Sequence, residues 1–315
     1  MSKIAFIYPG QGAQKAGMGA DFYENSEIAR YIFDQAGEEL DLDMKELCFE
    51  ENDRLDLTEY TQAAMVTTCL AMTRVAESKG LKADITAGLS LGEYPAIAAA
   101  GGMNDMDAIR LVRKRGILMQ NTVPAGEGAM CAVISMAAEE IEKVIEPIAD
   151  VSVANYNCPG QIVITGKTDA VEEAAAKLKE AGARRTIMLN VSGPFHSQML
   201  VPAGEKLAEE LVHTRFHELR IPYVTNVTAE KVTDIRETPG LLTTQISSPV
   251  RWMQSMERMI ADGVDTFVEI GPGKTLEGFL RKIDRSVKVF HISQWEDVDK
   301  VCTELADSGK MMEEA

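Results

Sequence analysis

The sequence predicts an α/β protein: a large, hydrolase-like core on a mostly parallel sheet, with a small ferredoxin-like (βαββαβ) subdomain inserted. Three observations carry this reading. A short strand, a glycine-bordered turn and an alanine-rich helix follow one another over residues 84–100, the strand–elbow–helix arrangement of α/β-hydrolase-like sheets. A β-α-β-β-α-β succession then runs through 126–192, the split-βαβ pattern. From Gly193 onward strands and helices alternate again. The large core is therefore expected from 1–125 together with 193–315, and the subdomain from 126–192.

The elements justify themselves in order. Met1 to Gly10 holds one lysine and an apolar stretch too short for a signal peptide, and reads as a first strand. Asp84 to Ala87 is a strand, and Leu91 to Ala100 a helix stopped by Gly101-Gly102. Pro95 lies close enough to that helix's start to be tolerated. A helix runs from about Asn104 to Asn121, followed by a break at Val123 to Gly128. In the subdomain, strands are expected at Ala129–Ser135, Val151–Asn155, Gln161–Thr165 and Thr186–Val191, with helices at Ala138–Ile148 and Asp169–Ala181. Beyond it, helices are expected at about Pro202–Phe216 and Val250–Asp262, and strands at Tyr223–Asn226, Thr266–Ile270 and Val287–His291. The last five residues, 311–315, are expected to fray.

Composition narrows the function. The 315 residues suffice for one large domain or two, and at 45% hydrophobic can bury a sizeable core. No apolar run is long enough to cross a bilayer. A net charge of −17 argues against nucleic acid and anionic membranes as general partners. The five cysteines are scattered, odd in number and without a CxxC pair. That spacing favours neither a metal site nor a disulfide framework, and suits a reducing, cytoplasmic home. A monomer is expected, since no large unexplained apolar surface is visible.

Ser90 lies in Gly-Leu-Ser-Leu-Gly, from Gly88 to Gly92. A turn of this kind lifts a serine hydroxyl clear of the sheet and aims backbone N–H groups of the following helix at the same spot. Alone, the match fits an idle turn serine equally well. A serine nucleophile needs a base, and four histidines compete. His213 and His217 sit four apart on the expected Pro202 helix and read as surface residues, with no third ligand to make a metal pair. His291 closes a strand. His196, in Val-Ser-Gly-Pro-Phe-His-Ser, occupies a loop position suited to function, or caps the next helix.

Arg115 falls at i+7 on the Asn104–Asn121 helix, within the stripe of Ala108, Leu111, Val112, Leu118 and Met119. A buried arginine needs a partner. It is either half of a structural ion pair, or a planar fork awaiting a substrate carboxylate. Gly10-Gln11-Gly12-Ala13-Gln14 follows the first strand and lacks the phosphate-loop Gly-Lys-Ser/Thr. It is either a plain turn or a source of an oxyanion-binding N–H at Gln11, paired with that of Leu91.

Together these segments resemble the malonyl-CoA:acyl-carrier-protein transacylases of bacterial fatty-acid synthesis. The resemblance extends over nearly the whole chain, through Tyr60-Thr61-Gln62, Arg115-Gly116, Asn157 to Gln161, Gly193 to Ser197, Gln245 to Trp252 and Glu269 to Gly273. It implies Ser90 as acyl acceptor, His196 as its base, and the Gln11 and Leu91 N–H groups as oxyanion hole. It further implies Arg115 as clamp for the malonyl carboxylate, Met119 and Phe195 in the acyl pocket, and the loop around Gln245 supplying a backbone carbonyl to the histidine in place of a triad acid. Gln245 is thereby counted with the substrate-binding residues. Leu89 departs from the family, many of whose members carry histidine there. No cofactor is implied; malonyl-CoA is a substrate. The carrier-protein partner is acidic, so docking needs a local basic patch; Arg184-Arg185 and Arg281-Lys282 with Arg285 are the candidates, beside the reading of ordinary surface charge. A serine thioesterase, a non-catalytic carrier-binding subunit and a trans-acting acyltransferase of a polyketide synthase are the competing expectations.

Overall fold

The computed structural model describes residues 3–307; the expected fraying of 311–315 lies outside them. In chain order the elements are β1 (Lys3–Tyr8), α1 (Ala20–Asn25), α2 (Glu27–Leu40), α3 (Met44–Phe49), α4 (Thr58–Ser78), β2 (Ile85–Gly88), α5 (Glu93–Ala99) and α6 (Asp105–Asn121). The middle segment holds β3 (Gly128–Ile134), α7 (Ala138–Ile145), β4 (Val151–Cys158), β5 (Gln161–Lys167), α8 (Thr168–Glu180) and β6 (Arg185–Met188). Then follow α9 (Val201–Val212), β7 (Tyr223–Val224), β8 (Lys231–Val232), α10 (Thr238–Gln245), α11 (Trp252–Ala261), β9 (Val264–Ile270), α12 (Thr275–Ile283), β10 (Lys288–Ile292) and α13 (Trp295–Asp307).

The described residues form two sheets. The six-stranded sheet has the order β10-β9-β1-β2-β7-β8, parallel throughout except for the edge pair β7–β8. Its central strands read as near-continuous apolar runs because helices cover both faces. Phe6 and Tyr8 enter one buried cluster, Ala5 and Ile7 the other. The four-stranded sheet, β4-β5-β3-β6, is antiparallel at every pairing. Its strands alternate as a two-faced sheet must. Cys131 and Val133 pack under α7 and α8, while Met130 and Ala132 face the large core. Both sheets and the βαββαβ order agree with the expected fold class.

Some boundaries differ from expectation. The helix expected over Pro202–Phe216 ends at Val212, with His213 as its C-cap. The chain then turns back onto the segment after α5: Phe216 bridges Met103, and His217 N donates to Gly102 O at 2.9 Å. His213 and His217 therefore do not share a helix face. β4 runs on to Cys158 through register shifts, so Asn157 is a strand residue. The short α10, rich in Thr, Gly and Pro, and α12 and α13 carry no expectation from the sequence.

Candidate active site

Parallel pairing places the site. β1 and β2 lie side by side with Tyr8 opposite Gly88, so the Gln11 loop and the Ser90 turn leave adjacent strands at the same sheet edge. β7 flanks β2 on the other side and delivers Asn226 two residues after its end. Open α/β sheets gather their sites at these carboxyl ends. The second wall is the small sheet. A cleft of about 790 Å³ lies between them, lined among others by Gln11, Gln62, Ser90, Arg115, Asn157 and His196.

The elbow is built from close backbone contacts. Ser90 has φ 54°, a conformation costly for a non-glycine residue. A Cβ on Gly88 would sit 1.8 Å from Gly92 O, and one on Gly92 would sit 2.3 Å from Tyr8 O; only hydrogen fits at either place. Asn226 ties the turn from outside: its Nδ2 donates to Gly88 O at 2.7 Å, and its Oδ1 accepts from Ser90 N at 2.7 Å. Leu89 turns its side chain against Gly10 and lines the cleft beside Ser90.

His196 also holds a left-handed conformation, φ 62°. Its Nε2 is 2.8 Å from Ser90 Oγ. Its Nδ1 faces Gln245 O at 2.9 Å and Ser248 O at 3.1 Å. Two carbonyls can only accept, so Nδ1 carries the proton and Nε2 presents its lone pair to the serine hydroxyl. The 246–251 loop is held in place by the small sheet: Tyr156 N donates to Val250 O at 2.9 Å and Val250 N to Ala154 O at 2.8 Å. Burial, and then the Arg115 charge, push the imidazole down to about 4 despite the two carbonyls. The ring is therefore neutral at pH 7.

Arg115 comes from α6, which approaches α4 closely at Gly116; a Cβ there would meet Thr58 O at 2.8 Å. The guanidinium is fully buried. It donates to Gln62 Oε1 at 2.8 Å, Gln245 Oε1 at 3.0 Å and Ser90 Oγ at 3.2 Å, and it lies 5.4 Å from the Tyr94 ring centroid. Every hydrogen-bonding partner is neutral. Among the described residues no carboxylate reaches ion-pair distance of it; its neighbours Arg110 and Arg113 pair with Glu39 and Asp107, and with Glu59. The structural ion pair is thus absent, and a charged fork is left in the cleft wall.

The structure brings Ser90, His196, Arg115 and Gln245 into one hydrogen-bonded group. Gln11, Leu91, Met119 and Phe195 line the same cleft, and Leu91 stands at a helix start, where N–H groups lack intrahelical acceptors. Gln245 is buried behind the wall and does not line the cleft. Arg184, Arg185, Arg281 and Lys282 are exposed and outside the cleft lining; Arg281 is paired with Glu277 at 2.5 Å. Sequence reasoning attached no role to Gln62, Asn226, Ser248 or Glu93. Glu93 is fully buried, and burial pushes its carboxyl up to about 7. For Gln62 and Ser248 the signal was at hand: both stand inside the segments that carry the resemblance, and Glu93 directly follows the Gly88 to Gly92 turn.

The chain is similar to known proteins along nearly its whole length. The family model of the acyl transferase domain matches residues 5–298. A malonyl CoA-acyl carrier protein transacylase of Bacillus subtilis is 44% identical over 304 residues, spanning 95% of this chain and 96% of that protein. The crystal structure of the transacylase of that name from Clostridium perfringens superposes with a TM-score of 0.94 at 42% identity, covering 98% of each chain. A malonyl-transacylase solved in complex with its type II PKS acyl-carrier protein gives 0.93 at 35% identity, over 96% of this chain and 100% of that one. With an acyl transferase match along nearly its whole length and relatives of this identity and coverage, the chain belongs to the malonyl CoA-acyl carrier protein transacylase family.

Proposed function

We propose that the protein transfers malonyl from malonyl-CoA to the phosphopantetheine thiol of acyl carrier protein through a malonyl-serine intermediate, supplying fatty-acid elongation. The observation that carries the reading is the pairing of a Ser90–His196 contact of 2.8 Å with a buried arginine that has only neutral partners. Ser90 Oγ attacks the thioester carbonyl carbon while its proton passes to His196 Nε2. The backbone N–H groups of Gln11 and Leu91 hold the oxyanion, worth roughly 3–4 kcal/mol per donor in the transition state. The intermediate collapses with cleavage of the C–S bond, and His196 returns the proton to the leaving CoA thiolate. In the second half the carrier thiol gives its proton to His196 and attacks the ester carbonyl. The C–O bond breaks and Ser90 recovers the proton. Ping-pong kinetics follow from this order.

Arg115 holds the free carboxylate of the acyl group two-pronged, and this selects malonyl over acetyl. Met119 and Phe195 bound the acyl pocket. Arg184, Arg185, Arg281 and Lys282 are proposed to meet the acidic carrier protein on the surface outside the cleft. The protein acts as a monomer; among the described residues its large exposed apolar side chains are few, with Ile28 and Tyr31 on one turn of α2, Ile187 beside Met188, and Leu57, Val201 and Val212 single. Four buried cysteines among five free ones suit a cytoplasmic setting.

The test is intact-protein mass spectrometry after mixing with malonyl-CoA. A malonyl adduct on the protein, absent from Ser90→Ala and discharged by a fatty-acid acyl carrier protein, is the expected result. Rapid loss of the adduct to water without carrier protein would instead mark a thioesterase. Discharge only by a polyketide carrier protein would reassign the pathway.

A further inference from the structure

A buried chain of hydrogen bonds runs behind the cleft wall, and its first member, Glu93, bonds to neither the Ser90 hydroxyl nor the His196 ring. Glu93 opens α5 three residues after the nucleophile. Its Oε2 accepts from Asn226 N at 3.0 Å and from Gln245 Nε2 at 2.6 Å, and its Oε1 has no partner. The Gln245 amide also donates from Nε2 to Ser90 O at 3.0 Å. Asn226 Oδ1 faces Nε2 as well, at 3.4 Å, and all three oxygens act as acceptors there, Glu93 Oε2 because it also receives the Asn226 N–H. The amide therefore stands in one orientation, NH₂ toward Glu93 and Ser90 O, and Oε1 toward Arg115. Turned over, it would set oxygen against oxygen on one side and N–H against guanidinium on the other. Gln62 Oε1 holds the other prong of Arg115.

We propose that Glu93 is a positioning residue for acyl selection: it locks the Gln245 amide, and the locked amide aims the Arg115 guanidinium at the acyl carboxylate. Gln245 thus serves twice. Its main-chain carbonyl holds the His196 ring, and its side chain holds Arg115. Glu93 stays out of direct contact with Arg115, so the fork keeps donors for a ligand. A carboxylate bonded straight to the guanidinium would compete with malonyl for them.

The inference rests on Arg115 being the malonyl clamp, and the experiment separates the two. The readout is the ratio of kcat/KM for malonyl-CoA to that for acetyl-CoA, which lacks the carboxylate. Glu93→Ala removes the acceptor and should lower the ratio about tenfold, the scale of losing a hydrogen bond to a charged group. Glu93→Gln, which keeps an acceptor oxygen at that reach, should recover most of the ratio. Gln245→Met cuts the same link from the other side while leaving the main-chain carbonyl, and should lower the ratio similarly; it decides the matter if Glu93→Ala does not fold. Equal losses for both acyl groups in Glu93→Ala and Gln245→Met would overturn the proposal and leave Glu93 a merely structural group. An unaltered ratio in Arg115→Ala would instead remove the clamp itself.

Discussion

Arg115 Nη2 lies 3.2 Å from Ser90 Oγ, so the one hydroxyl meets a guanidinium on one side and the His196 ring on the other. The two neighbours do different work. The ring takes the proton. The guanidinium lowers the ring's affinity for that proton and stands ready for an anion. Binding a carboxylate at Arg115 would neutralise that charge and let the imidazole accept the proton more readily, which ties substrate recognition to base strength.

Arg115→Ala should lower malonyl-CoA kcat/KM about 100-fold, the scale of truncating one partner of a buried charge pair, and should partly admit acetyl. Arg115→Lys should recover little, because an ammonium lacks the planar fork. Steady-state rates with the two thioesters check both.

The pH profile follows from His196. The active base is the neutral ring, and its value near 4 places the acid limb of kcat/KM well below an ordinary imidazole. The limb of kcat, which reports the loaded enzyme, should lie higher, since a bound carboxylate offsets Arg115. Coincident limbs near 6.5 would contradict the burial argument.

The same shifts govern stability, with opposite signs. The folded His196 resists protonation down to about 4, so its contribution is lost as pH falls from roughly 6.5. Glu93 and Glu269, pushed up to about 7 by burial, cost stability while charged. Their protonation strengthens the fold as pH falls from about 7 toward the ordinary carboxylate value. Glu93→Gln should therefore flatten the rise contributed by that carboxyl when denaturant midpoints are followed between pH 7 and 5.

Gly88→Ala tests the elbow. A methyl 1.8 Å from Gly92 O cannot be absorbed by a side-chain adjustment, since the obstacle is backbone. The expected cost is about 3 kcal/mol or more, seen as a melting temperature lower by about 6–12 °C or as failure to fold. Gly240→Ala, where a Cβ meets nothing within 4 Å, is the matching control.

Arg185→Glu should raise KM for the carrier protein several-fold and leave malonyl-serine formation from malonyl-CoA nearly intact, because a rim charge acts on encounter with the partner. Parallel loss in both half-reactions would take Arg185 out of the docking surface.

Local physics wrote much of this protein plainly in its sequence. The βαββαβ order follows from alternating and helical periodicities that each segment carries by itself, and the elbow in part from Gly88, whose missing side chain makes room for the backbone of Gly92 four residues on. Arg115 announced its burial by sitting in an apolar stripe. What belongs to the tertiary structure is every relationship spanning the sheet edge: Asn226 against the Ser90 turn, Ser248 beside Gln245 under the His196 ring, Gln62 and Gln245 around the guanidinium, and Glu93 behind them. Polar side chains at such places have no periodicity, because their positions answer to partners tens to more than a hundred residues away. The absence of an acidic partner for Arg115 is likewise a property of the assembled neighbourhood. A stripe shows that a charge will be buried; only the packed strands and helices decide that it is left open for a ligand.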